Sequence, residues 1–104
     1  MYNKRSTELC IPKVSNEITR NQIFKIFCKL NIGFISKIIE NPLRNDANYK
    51  RVVICVVWDN SQPVATEIQE ILKSPNQYIN LVYNMPWYWK IYLNQPRNYK
   101  IDTV

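Results

Sequence analysis

The sequence contains no histidine. That absence removes imidazole acid–base catalysis, Ser–His and Cys–His nucleophile pairs, and metal sites that depend on imidazole. Glycine is almost as scarce, with Gly33 the only one in 104 residues. A phosphate-cradling loop needs several glycines, so nucleotide-binding motifs of that kind are excluded too. The three cysteines, Cys10, Cys28 and Cys55, are odd in number, widely spaced and without a CxxC pair. Neither a zinc site nor a secreted disulfide framework fits them, whereas free thiols in a reducing intracellular compartment do. The opening stretch MYNKRSTELCIPKV lacks a long apolar run, so neither a signal peptide nor a membrane span is expected. Acidic residues are also few: Glu8, Glu17, Glu40, Asp46, Asp59, Glu67, Glu70 and Asp102 are scattered along the chain. Glu8 and Glu40 would meet only if their strands were close, and two lone surface acids do not make a catalytic site. No enzymatic activity, cofactor or metal is therefore expected.

What the chain does have is positive charge and aromatic rings. Fourteen Lys and Arg residues give a net charge of +6 and a pI near 9.3. That balance favours acidic partners, nucleic acid ahead of an anionic membrane surface. A hydrophobic content of 46% is enough for one core of ordinary size, and the length suits one domain.

Periodicity outlines the elements. Residues 7–12, TELCIP, alternate as a strand that Pro12 is expected to end, because proline cannot donate to a ladder. Residues 19–30 predict a helix: Thr19 and Gln22 have capping-box spacing, and Ile23, Ile26, Phe27 and Leu30 share a face. Gly33 offers a turn residue after it. A second strand is expected over 34–40, a polar loop over 41–48, and a third, β-branched strand over 49–58. A second helix follows, with a serine cap ahead of Pro63 and Ala65, Ile68, Ile71 and Leu72 on its apolar face. Residues 78–83 and 87–93 predict a hairpin about Asn84-Met85-Pro86. The order is β-α-β-β-α-β with an extra hairpin strand before the last, an α+β class of the ferredoxin-like split βαβ type.

At this point the chain resembles an RNA recognition motif. The resemblance covers residues 7–97, between tails at 1–6 and 98–104. It is carried by Ile23, Phe27, Leu30, Gly33, Ile35 and Ile38 across the first helix and second strand. Val52, Ile54, Val56, Ala65, Ile68 and Leu72 carry it across the third strand and second helix. The LCIP, YKRVVI and VYNMPWYWK segments, with an Asn/Ile/Lys-rich composition, also look like short proteins with this domain in large nucleocytoplasmic DNA (giant) viruses. That resemblance implies a host cytoplasm, virus-factory or nuclear location, or a place in the virion. The family stacks bases on aromatics of its first and third strands. In this chain the third-strand stretch is RVVICVVW, residues 51–58. Its basic first position, Arg51, matches, but Val53, Cys55 and, in the first strand, Cys10 stand where the rings belong.

The aromatics lie elsewhere. Residues 87–92 hold two of the three tryptophans and two of the seven tyrosines. Alternation puts Trp87, Trp89, Ile91 and Leu93 on one face and Tyr88, Lys90, Tyr92 and Asn94 on the other. Burying Lys90 under helices would be costly, so the tryptophans are expected at the core and the tyrosines on the open face. Lys13, Arg44, Lys50, Arg51, Lys90 and Arg97, with Lys100 in the tail, are expected to rim that face as a phosphate track, with Val53 and Cys55 beside them. The expectation is a non-catalytic module binding RNA or single-stranded DNA through the basic rim and Tyr88, Lys90 and Tyr92. The alternative is a protein-interaction or self-association module. There the apolar face of Cys10, Val53, Cys55 and Val57 takes a cover, whether the C-terminal tail, a protein partner or a second copy, including in a structural virion role.

Overall fold

The computed structural model describes residues 6–94. Seven elements follow in order: β1 (Thr7–Ser15), α1 (Arg20–Leu30), β2 (Gly33–Pro42), β3 (Tyr49–Trp58), α2 (Pro63–Lys73), β4 (Tyr78–Asn84) and β5 (Trp87–Leu93). The strands form one antiparallel sheet ordered β2-β3-β1-β5-β4, so the protein is α+β. Both helices pack on one face. Ile23 and Phe27 of α1 and Ala65, Ile68 and Leu72 of α2 join one core with alternate strand residues, including Leu9, Ile11, Val52, Ile54, Val56, Trp89 and Ile91.

Local chemistry sets the helix ends. Thr19 Oγ1 accepts from the Gln22 amide at 3.2 Å while Gln22 Oε1 accepts from the Thr19 amide at 2.7 Å, closing the capping box that starts α1. Its C-cap is Asn31, in the left-handed conformation at φ 57°, and not Gly33. Gly33 opens β2 instead, where a Cβ would overlap the Val57 carbonyl oxygen and lie 2.9 Å from Trp58 Cα. The second helix is capped at Gln62, the residue before Pro63 in the first helical position, with no side-chain cap bond. Ser61, the expected cap, donates to Asp59 Oδ1 at 2.6 Å in the preceding turn. Ile71 is 44% exposed and falls outside the buried stripe of Ala65, Ile68 and Leu72.

Two further expectations change. Pro12 does not end β1, which runs on along β3 through an irregularity between Ile11 and Val14 to the pairs Val14–Lys50 and Ser15–Tyr49. A bulge tolerates proline because the extra residue stands outside the ladder. Likewise β2 extends through Pro42, shortening the expected loop to residues 43–48.

Candidate nucleic-acid interface

Register identifies the face that no described helix covers. Tyr92 stands opposite Cys10 on one side and Tyr78 on the other, Lys90 opposite Asn80, and Tyr88 opposite Val82. Cys10 in turn stands opposite Val53, and Val53 opposite Ile39. Paired residues share a face, so Tyr88, Lys90, Tyr92 and Tyr78 lie together on the side away from the core. The Tyr78 and Tyr92 rings are 5.3 Å apart, and Lys90 Nζ lies 5.0 Å from the Tyr78 ring centre. Near the end of β1, Lys13 Nζ sits 4.3 Å from the centre of the Tyr49 ring and 3.9 Å from Asp46 Oδ2. Each lysine is thus held against a tyrosine face, an arrangement that orients the ammonium without burying it.

Between these two pairs lies a cleft of about 520 Å³, lined by Pro12, Lys13, Tyr49, Trp87, Tyr88 and Lys90 among others. Trp87 is 62% exposed and Tyr88 50% exposed there. Trp87 was expected in the core with Trp89. Only Trp89 is buried, stacked on Tyr83 with ring centres 4.3 Å apart. The pairing of β4 with β5 shifts between Val82 and Asn84, and Trp87 falls at the strand's first position, beside the Met85-Pro86 turn. A hollow of about 810 Å³ at the opposite end of the sheet is lined by Phe34, Val57, Trp58 and Asp59 among others, with no basic side chain. It does not suit a phosphate chain.

The remaining expected contacts separate. Lys50 was expected on the basic rim and is instead on the core side, 7% exposed. It shares the helix-facing parity of Val52 and Ile54, and its Nζ donates to the Ile18 carbonyl at 2.6 Å and to Glu40 Oε2 at 2.9 Å. That pairing offsets the desolvation of the ammonium and leaves it unable to reach a phosphate. Glu40, also within 3.5 Å of Arg20 Nη2, therefore lies on the opposite face from Glu8, and the two acids do not meet.

Arg51 is on the uncovered face, half-buried, its Nη2 donating to Asn94 Oδ1 at 2.8 Å, while Asn94 Nδ2 donates to Glu8 Oε1 at 2.9 Å. Val53 and Cys55 lie on that face as expected but are only 4% and 7% exposed, so they form its floor and do not present a contact surface. Arg44 is exposed in the 43–48 loop, whose Asp46 meets Lys13. Arg97 and Lys100 lie outside the described residues.

Burial raises the Cys10 thiol above its ordinary pKa, partly opposed by the charge and hydrogen bond of Arg51. Burial raises Cys55 as well, and the Glu8 carboxylate adds to the rise while Lys37 opposes it. Both are free and protonated at neutral pH, which makes them packing groups and poor nucleophiles. Among the described residues no His, Cys, Asp and Glu cluster suited to a metal comes together, and no helix is long and apolar enough to cross a membrane.

Three aromatic residues were not among the expected contacts: Tyr78, Tyr49 and Trp87. Tyr78 was readable, since a hairpin centred on Met85 places it opposite Tyr92. Tyr49 and Trp87 carried no such signal, because the β1 irregularity and the β4–β5 register shift position them. Comparison with protein-family models, with curated proteins and with solved structures finds no match to this chain.

Proposed function

We propose that the protein is a non-catalytic module that binds RNA or single-stranded DNA on a ferredoxin-like scaffold similar to the RNA recognition motif. The strand order supports that scaffold: β2-β3-β1-β5 is the split βαβ arrangement, and β4 is the additional edge strand. The functional reading rests on one observation. Two lysine–tyrosine pairs, Lys13–Tyr49 and Lys90–Tyr78, flank a cleft in which Trp87 and Tyr88 are exposed. Exposed rings provide π faces for unpaired bases at roughly 1–3 kcal/mol each, and the ammonium groups meet phosphates. Stacking moves from the centre of the sheet, where Cys10, Val53 and Cys55 stand, to its β5 side.

The alternative, association with a protein partner or a second copy through Cys10, Val53, Cys55 and Val57, has less to rest on. Cys10, Val53 and Cys55 are buried, and only Val57, paired with the exposed Phe34 at the far end of the sheet, adds accessible apolar surface. Three free thiols suit the reducing intracellular setting proposed for the module.

The test is fluorescence-polarisation titration of mixed-sequence single strands at low and moderate salt, comparing the native chain with Lys13→Glu/Lys90→Glu. The expected result is salt-sensitive binding that the double variant loses. Absence of binding at low salt would refute the proposal.

A further inference from the structure

We infer that the seam between β1 and β5 reads the Watson–Crick edge of one unpaired base. This rests on the reading of the uncovered face as a single-strand binding surface and specifies what part of the strand it recognises.

The ladder between β1 and β5 is short. The Asn94 amide donates to the Glu8 carbonyl at 2.9 Å, and β1 and β5 pair at Leu9–Leu93 and Cys10–Tyr92. In an antiparallel pair, alternate residues turn their N–H and C=O toward the partner strand. Continuing that alternation, Lys90 and Tyr88 direct their backbone groups toward β1. The residue that would face Lys90 is Pro12, which has no N–H. The Lys90 carbonyl therefore receives no donor from that position, and the described ladder ends at Cys10–Tyr92. β1 then shifts register against β3 before Val14.

The cleft takes its lining from both Pro12 and Lys90, and from residues of both sides of the sheet. Tyr88, Lys90 and Tyr92 line it from the uncovered face, and Tyr83 and Trp89 from the core-facing side. A strand edge presents donors and acceptors in turn. So does the Watson–Crick edge of an unpaired base: the N3–H of uracil matches a backbone carbonyl, and its carbonyl oxygens match a backbone N–H. Tyr88 and Trp87 supply ring faces beside that edge, and Lys13 and Lys90 stand at the cleft for the flanking phosphates. Bases in a duplex already use these groups for pairing, so the seam selects single strands through the base edge as well as through stacking.

The test compares two ligands on the unaltered protein: an oligouridylate and an oligo-N3-methyluridylate of equal length. The methyl group removes the N3–H and blocks the edge, but it leaves the ring neutral and the phosphate charge unchanged. The expected result is about a tenfold or greater loss of affinity on methylation, the size of a lost hydrogen bond in a partly enclosed site. Equal affinity for the two would overturn the edge reading and leave single-strand binding standing. Failure of both oligomers to bind at low salt would overturn the interface reading together with this inference.

Discussion

Lys50 and Arg51 are adjacent in the chain and serve opposite faces of the sheet. Lys50 Nζ reaches Glu40 at 2.9 Å on the core side, and Arg51 Nη2 reaches Asn94 at 2.8 Å on the other. Removing the Lys50 side chain leaves the Ile18 carbonyl without its ammonium donor and Glu40 with only the more distant Arg20 at 3.5 Å. Lys50→Ala is therefore expected to lower stability by about 2–3 kcal/mol, read by urea denaturation. Oligonucleotide affinity of the folded fraction should be unchanged. A loss of affinity with unchanged stability would contradict this placement.

Tyr88 supplies its ring from an exposed position, so truncation costs the fold little. Tyr88→Ala should weaken single-strand binding by about 1–3 kcal/mol while Tyr88→Phe stays close to native. Polarisation titrations of both variants check this. Equal losses in the two would point to the hydroxyl and not to stacking.

Salt dependence should reflect few phosphate contacts. With Lys13 and Lys90 as the principal ones, the slope of log affinity against log salt is expected at about −1.4, from about −0.7 per contact on a single strand. Neutralising either lysine should reduce the slope by about one contact. A slope unaltered in Lys90→Gln would place the phosphates elsewhere.

Much of this arrangement was readable from residue types. The Thr19–Gln22 box sets the start of α1, and the alternation of Trp89 and Ile91 with Lys90 puts the lysine outward. The face of Lys50 was not readable. Residues 52–57 of β3 are apolar on both sides of the strand, and Val53 and Cys55 are packed almost as fully as Val52, Ile54 and Val56. A strand without alternation carries no statement of which neighbouring charge faces the core. The cleft was hidden for a different reason. Pro12 announced an interruption, but whether it interrupts the β3 side or the β5 side depends on strand order, which is a property of the whole sheet.

Restoring the missing donor is the complementary experiment. In Pro12→Ala the new N–H can bond to the Lys90 carbonyl and extend the ladder across the cleft. The added hydrogen bond, about 0.5–1.5 kcal/mol, is offset by the greater freedom of the unfolded chain, about 0.4–1 kcal/mol. Thermal stability should hardly change, while affinity for single strands falls as the seam closes. Native affinity in this variant would contradict the role given to the seam.

The thiols provide an independent check on the uncovered face. Cys28 is exposed, whereas Cys10 and Cys55 are buried and have raised pKa values. One thiol should react quickly with a disulfide reagent at neutral pH and two slowly. A thiol whose folded pKa is raised stabilises the fold below its unfolded pKa, and that contribution is lost as pH rises through the folded value. Stability should therefore decline on the alkaline side of the ordinary thiol range, followed by denaturant midpoints against pH. In Arg51→Ala the reactivity of Cys10 should fall further, because the charge and hydrogen bond that oppose the rise of its pKa are gone.

The most direct test uses the three indoles as position markers. Trp87 lies exposed in the cleft, Trp89 is buried beneath it, and Trp58 lines the hollow at the other end of the sheet. In a titration of ¹⁵N-labelled protein with an unstructured single strand, the Trp87 indole N–H resonance should show the largest shift. The Trp58 resonance should remain in place. Movement of Trp58 with Trp87 unaffected, or no movement of any indole at millimolar strand and low salt, would contradict the account.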